Sequence, residues 1–298
     1  MPHAVLDGTR IHYQSVGEGP DLVMVHGIAA NMAFWFPRIA RELARTHRVT
    51  VYDLRGHGMS AMPPAGYTPA DMAGDLAMLM DHAGIGCADL VGHSFGGTVC
   101  LELAARLPGR VRSLTLADVT VNALQDIDSG QDGTYWKAWR GQLETIGIKI
   151  PAETPKATLG LLEELAEPGL EKARQTKHAG DFFVPFGRWN GARRTANQWL
   201  RLLRTTEAWK EMQSGGPTLE EIRRIDRPAL LMFGERSRWL KTCHSLAQSL
   251  PSSETVIVPA AGHFFPLLKP LVFVAHLQAF LERVSQGAPP VAVAEARP

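Results

Sequence analysis

The chain has 298 residues, of which 45% are hydrophobic and 20% charged, and its formal net charge is +1. This is the make-up of an ordinary globular protein. It gives no electrostatic reason to expect nucleic acid or an anionic membrane surface as a partner. The opening stretch MPHAVLDGTRIHYQSVG lacks a basic segment followed by an apolar core, so no signal peptide is expected, and no apolar run is long enough to span a bilayer. Cys87, Cys100 and Cys243 are scattered, with no C-x-x-C spacing, which points to reduced thiols packed as small core residues in a cytoplasmic protein.

In chain order, short β-branched runs alternate with helical patterns. RIHYQSV and DLVMVHG come first, and RVTVYDLRG follows a helix-like segment over 36–46. CADLVGHS follows a second helical segment over 69–82, and VRSLTLADVT a third over 96–107. Continuous apolar runs of this length suit strands buried on both faces, and their alternation with helices implies βαβ units in a mostly parallel sheet.

From about residue 121 to 226 the alternation stops. Amphipathic pieces take over: TYWKAWRGQLETIG, TLGLLEELAEPGLEKARQTKHAG and RTANQWLRLLRTTEAWKEM. The pattern predicts a helical insertion, 121–226, between core segments 1–120 and 227–284. Five of the seven tryptophans fall in it: Trp136, Trp139, Trp189, Trp199 and Trp209. They are expected to pack the insertion's own small core, with one or two left to line a pocket. The sheet pattern resumes with RPALLMFGE and SETVIVPAAGH, and a last helix is expected over 271–284. The tail 285–298, SQGAPPVAVAEARP, reads as flexible.

Three places carry chemistry. Gly92-His93-Ser94-Phe95-Gly96-Gly97 lies where a strand meets a helix. A G-x-S-x-G in that setting is a nucleophile elbow: small residues two positions to either side let the serine occupy a tight turn that lifts Oγ to a helix N-terminus. His26-Gly27 directly follows DLVMV, so the backbone N–H groups of Ile28 and Phe95 are candidate donors to an oxyanion. His263, in AAGHFFP after the last strand, is set apart from the other ten of eleven histidines by its place in the chain order. Neutral imidazole suits the task of activating a serine near pH 7.

Together VHG at 25–27, DLRGHGMS at 53–60, GHSFGG at 92–97 and GHFFP at 262–266 resemble the α/β-hydrolase fold family across nearly the whole chain. The resemblance implies an α/β class fold: an eight-stranded, mostly parallel sheet flanked by helices, with a helical cap inserted after the sixth strand. It implies that Arg55 and His57 brace the loop beneath the site.

The chain departs from the family at one point. The acid usual after the seventh strand, in a G-x-x-D pattern, is here Gly234-Glu235-Arg236-Ser237. A serine cannot supply the charge that orients a histidine. Asp118, at the end of SLTLAD, stands where some members, including certain haloalkane dehalogenases, carry their acid, on the rim where open α/β sheets bind ligands. Glu235 is a second candidate, and loss of the acid with weak or absent activity is a third.

A serine at the elbow argues against the epoxide hydrolases and dehalogenases of this fold, which use aspartate there. It leaves ester, thioester, lactone or amide hydrolysis, acyl transfer and C–C hydrolysis, and the main expectation is a serine hydrolase cleaving an ester or thioester with a largely apolar or aromatic portion. The alternatives are a C–C bond hydrolase of β-diketone-type substrates, or a low-turnover small-molecule binding protein like the plant hormone receptors of this fold. Arg188, Arg193 and Arg194 in GDFFVPFGRWNGARR are read as a solvated face or internal pairs rather than a carboxylate clamp. No metal-ligand cluster and no phosphate-binding glycine loop is visible, so the expectation is a small-molecule substrate with no cofactor, metal or nucleic acid. Oligomeric state is not legible.

Overall fold

The computed structural model describes residues 2–124, 192–288 and 294–295. The elements in chain order are strands β1 (His3–Leu6), β2 (Thr9–Val16) and β3 (Asp21–Val25), then tight helical turns at Met32–Phe34 and Phe36–Ala40 running into α1 (Arg41–Leu43). Next come β4 (Arg48–Tyr52), α2 (Pro69–His82), β5 (Ala88–His93), α3 (Phe95–Arg106) and β6 (Val111–Ala117). After the undescribed segment follow α4 (Ala192–Thr205), α5 (Ala208–Glu211), α6 (Leu219–Arg223), β7 (Ala229–Gly234) and α7 (Leu240–Ser249). The chain closes with β8 (Ser253–Val258), α8 (Phe265–Leu268), α9 (Pro270–Ser285) and β9 (Ala294–Glu295).

One sheet runs in the order β1-β2-β4-β3-β5-β6-β7-β8-β9. The β1–β2 and β2–β4 pairs are antiparallel and every other pair is parallel. The eight expected strands are present and mostly parallel. The tail adds a ninth: Ala294 and Glu295 pair with Val256 and Ile257. This pairing covers part of an edge that otherwise presents unpaired N–H and C=O groups.

Successive side chains of a strand point to opposite faces, and here both faces are buried. Val23 and Val25, Leu114 and Leu116, and Leu231 and Phe233 join one cluster with Met72, Leu76, Val99, Leu103, Cys243 and Leu246 from α2, α3 and α7. Leu22, Met24, Val49, Val51, Leu230 and Met232 join the other with Trp35, Ile39, Leu43, Phe273, Leu277 and Phe280. This explains the near-continuous apolar strands. α2 starts at a capping box, with Thr68 Oγ1 accepting from Asp71 N, the Asp71 carboxylate receiving the Thr68 N–H, and Pro69 at the first helical position.

Of the expected insertion, the first two amphipathic pieces lie outside the described residues, with Trp136, Trp139, Trp189 and Arg188. The third forms α4 and α5. Trp199 is 4% exposed and belongs to the same buried cluster as the sheet, as do Ala208, Met212, Ile222 and Ile225. Trp199 therefore packs into the main core and not into a separate one, and Trp209 lies half-buried against the same cluster. Arg194 is exposed. Cys100 and Cys243 are buried, Cys87 is half-buried, and none of the three forms a disulfide.

Candidate active site

β5 ends at His93, and Ser94 turns directly into α3 with φ 53 and ψ −128. A non-glycine residue in this region is strained by about 1–3 kcal/mol, and the surroundings must over-determine it. They do so by contact. A Cβ on Gly92 would lie 2.5 Å from Gly97 Cα, and one on Gly96 would lie 2.4 Å from the Val25 carbonyl oxygen. Strand, turn and helix thus touch backbone to backbone, while Ser94 N donates to Ala117 O at 3.1 Å. The steric demand read from G-x-S-x-G is met by these contacts.

The loop after β3 closes on the same turn. A Cβ on Gly27 would come 2.9 Å from Ser94 Cβ, so the Gly27–Ile28 backbone runs against the serine. Ala29 N donates to His57 Nε2 at 3.2 Å and Ala30 N to Gly27 O at 3.3 Å. Phe95 is the first residue of α3, so its N–H has no acceptor within the helix. Of the two amides singled out as oxyanion donors, Ile28 follows Gly27 in this loop and Phe95 opens α3.

A buried polar frame holds this loop. Asp53 accepts from His12 Nδ1 and Met59 N at 2.8 Å each and from Met32 N at 2.7 Å. His57 Nδ1–H donates to Arg55 O at 2.9 Å, which leaves Nε2 to accept from Ala29. His26 Nδ1–H donates to Gly27 O at 2.8 Å, and its Nε2 accepts from Leu54 N at 3.0 Å. Each ring must stay neutral to keep its acceptor nitrogen. Burial pushes His26 down from the ordinary histidine value and takes His57 to about 3, helped in His57 by the neighbouring His26. Arg55 makes a two-pronged pair with Asp75, at 2.7 and 2.6 Å. Arg55 and His57 brace the loop, as the family resemblance implied. Gln198 of α4 donates to Gly58 O at 2.8 Å, and Trp199 lies 5.9 Å from the His57 ring.

Asp118 follows β6 with φ 49, donates its N–H to Met232 O at 2.8 Å, and is fully buried. Its Oδ1 lies 2.8 Å from His263 Nδ1 and 2.5 Å from Ser237 Oγ, and its Oδ2 accepts from Gly234 N at 3.0 Å. Burial alone would raise the Asp118 carboxyl. The hydrogen bond and charge of His263, then Ser237 and Gly234, outweigh it and hold the group below the usual carboxylate range. Glu235 is exposed and its Oε2 accepts from Ala260 N at 2.7 Å. Of the two candidate carboxylates, the one that meets His263 is that of Asp118.

Two residues at this site carried no signal in the sequence. Ser237 read only as a missing acid. His93 read only as the x of the elbow, yet its Nε2–H donates to the His263 carbonyl at 2.9 Å, and its ring stacks on Phe34 with centroids 4.5 Å apart. His93 thereby ties the residue before Ser94 to the His263 loop. Burial, then His263, takes His93 down to about 3. Among the described residues, no group of His, Cys, Asp or Glu is arranged to hold a metal ion.

The fold is shared with other proteins. A family model described as the alpha/beta hydrolase fold matches residues 20–270. The chain is 27% identical, over 91% of its length and 91% of the relative's, to a 2-(acetamidomethylene)succinate hydrolase of Mesorhizobium japonicum. It is 41% identical over 114 residues to the dihydrolipoyllysine-residue acetyltransferase component of the acetoin cleaving system of Cupriavidus necator, a match spanning 38% of this chain and 30% of that protein. Among solved structures, a bacterial membrane phospholipase A superposes with a TM-score of 0.72 at 23% identity, covering 95% of this chain and 86% of that one. The likeness to the phospholipase speaks for the fold alone. With the sheet order, the elbow turn and a family match across most of its length, this chain belongs to the α/β-hydrolase fold family.

Proposed function

We propose that the protein is a serine hydrolase that cleaves an ester or thioester of a largely apolar or aromatic small molecule through an acyl-enzyme. The observation that carries this reading is the Asp118–His263 hydrogen bond, made by a fully buried carboxylate at the C-terminal rim of the sheet where the elbow sits. In this reading Ser94 Oγ attacks the carbonyl and His263 takes its proton and returns it to the leaving group. Asp118 accepts from Nδ1–H, which leaves Nε2 as the base and stabilises the imidazolium as it forms. The Ile28 and Phe95 amides hold the oxyanion at the N-terminal end of α3, where the helix dipole favours negative charge.

That a relative aligned over nearly its whole length is named a hydrolase supports the reaction class. The three cysteines outside disulfides fit a reducing, cytoplasmic setting. Among the described residues no helix is long and apolar enough to cross a membrane.

Labelling by a fluorophosphonate probe tests the proposal without knowledge of the substrate. Rapid labelling of the wild type that is absent from Ser94→Ala is the expected result. A folded wild type that does not label sinks the hydrolase reading and favours a binding protein on a hydrolase scaffold. Labelling accompanied by turnover of β-diketones and not of esters favours the C–C bond hydrolase.

A further inference from the structure

Ser237 occupies the position where the family pattern carries a carboxylate, and both its N–H and its hydroxyl are engaged. Its backbone N–H donates to Gly234 O at 2.9 Å, closing the turn after β7. Its Oγ accepts from Trp239 N at 3.0 Å. A hydroxyl has one proton, and with an N–H occupying its acceptor side that proton is free to point at Asp118 Oδ1, 2.5 Å away. Ser237 is 8% exposed and Asp118 is 0% exposed, so water does not compete for this contact. The oxygen that receives Ser237 is the same one that receives His263 Nδ1–H.

We propose that Ser237 is a positioning residue for the Asp118–His263 pair: its hydroxyl, oriented by Trp239 N–H, fixes the rotation of the Asp118 carboxylate and draws off part of the negative charge that Oδ1 offers to the imidazole. This deepens the assignment of Ser94, His263 and Asp118 proposed above and rests on it. The proton stays on Ser237 Oγ throughout. With Gly234 N on Oδ2, the carboxylate has three donors and cannot turn without breaking one of them. The sign of the effect follows. Hydrogen bonds to a carboxylate stabilise its charge and lower its basicity. Removing the Ser237 hydroxyl makes Asp118 a stronger anchor for a protonated imidazole. A carboxylate that merely drifted from His263 would be a weaker one.

Two buried groups beside the pair keep one protonation state across neutral pH. His93, against His263, is held to about 3 by burial, then by His263, and stays neutral. Cys243 of α7 is pushed up to about 12 by burial and by Asp118 and stays a thiol. On the Ser237 loop, Glu235 is engaged by the Ala260 amide, and Arg238 lies 4.3 Å over the Trp239 ring.

The test is the rate of inactivation of the full chain by a fluorophosphonate, measured from pH 5 to 9, for wild type, Ser237→Ala, Ser237→Cys, Ser237→Thr, Asp118→Asn and Ser94→Ala. The expected result for Ser237→Ala is a plateau about fivefold lower and an acid limb moved to higher pH by about half a unit to one unit. Ser237→Thr, which keeps the hydroxyl, returns the limb to its wild-type place. Should Ser237→Ala fold poorly, Ser237→Cys, a weak donor of similar shape, carries the test and moves the limb the same way. A limb that stays put or moves to lower pH, with Asp118→Asn still slow, overturns the role given to Ser237 and leaves the triad standing. An Asp118→Asn that labels like wild type overturns both.

Discussion

Asp118 and His263 stand 145 positions apart in the chain and 2.8 Å apart in the structure, joined through Oδ1 and Nδ1. Asp118 is held by β6 through its place in the chain and by β7 through Met232 O and Gly234 N. His263 is held from the other side by His93, the last residue of β5. The pair is therefore built across the C-terminal ends of three adjacent strands.

Asp118→Asn is expected to slow fluorophosphonate labelling on the order of a thousandfold while leaving the fold in place. The amide keeps the shape but favours the wrong imidazole tautomer. Glu235→Gln, which alters a carboxylate engaged by the Ala260 amide, is expected to label within about twofold of wild type. Loss of labelling in Glu235→Gln with an active Asp118→Asn would reverse the assignment.

Gly96→Ala is expected to cost about 3 kcal/mol or more in urea unfolding. The new Cβ would stand 2.4 Å from the Val25 carbonyl oxygen, and both partners are backbone with no side chain to yield. Gly86→Ala is the control, since a Cβ there meets nothing within 4 Å. Equal stability of the two variants would show that the strand β3 to elbow contact is less close than described.

Stability is expected to fall as the pH drops from about 6.5 toward 3. His57 and His93 are neutral in the folded state down to about 3, each chiefly through burial, whereas the unfolded chain takes up protons near 6.5. Above 6.5 both states are neutral and these rings contribute no slope. Between the two values the unfolded state binds more protons, so each ring costs about 1.4 kcal/mol per pH unit. Asp118, held below the usual carboxylate range, adds to the loss at the acid end, because its stabilising contribution disappears once it is protonated. Urea unfolding at pH 7 and pH 5 measures the slope, and His57→Gln should make it shallower. An unchanged slope would mean that His57 takes up its proton without unfolding.

Trp199→Ala is expected to cost about 3 kcal/mol. The ring is 4% exposed, packs in the main core and lies 5.9 Å from His57, so its loss opens a cavity beneath α4 beside the loop that carries Ile28. Thermal unfolding checks the stability, and a change within about 0.5 kcal/mol would show that α4 does not depend on this contact.

By itself the sequence determined the order of strands and helices, the elbow and the histidine after the last strand, because these are local. A run such as DLVMV can be covered on both faces only inside a parallel sheet, and a serine between Gly92 and Gly96 fits only a turn that forbids a Cβ on either side. It also narrowed the acid to Asp118, Glu235 or none. Which carboxylate meets His263 was decided by tertiary structure alone. Asp118 and His263 share no local pattern, and their contact depends on β6, β7 and the loop after β8 lying side by side. The role proposed for Ser237 was hidden for the same reason. In the sequence it is a residue that lacks a charge, and only the fold brings its hydroxyl to a carboxylate 119 positions away.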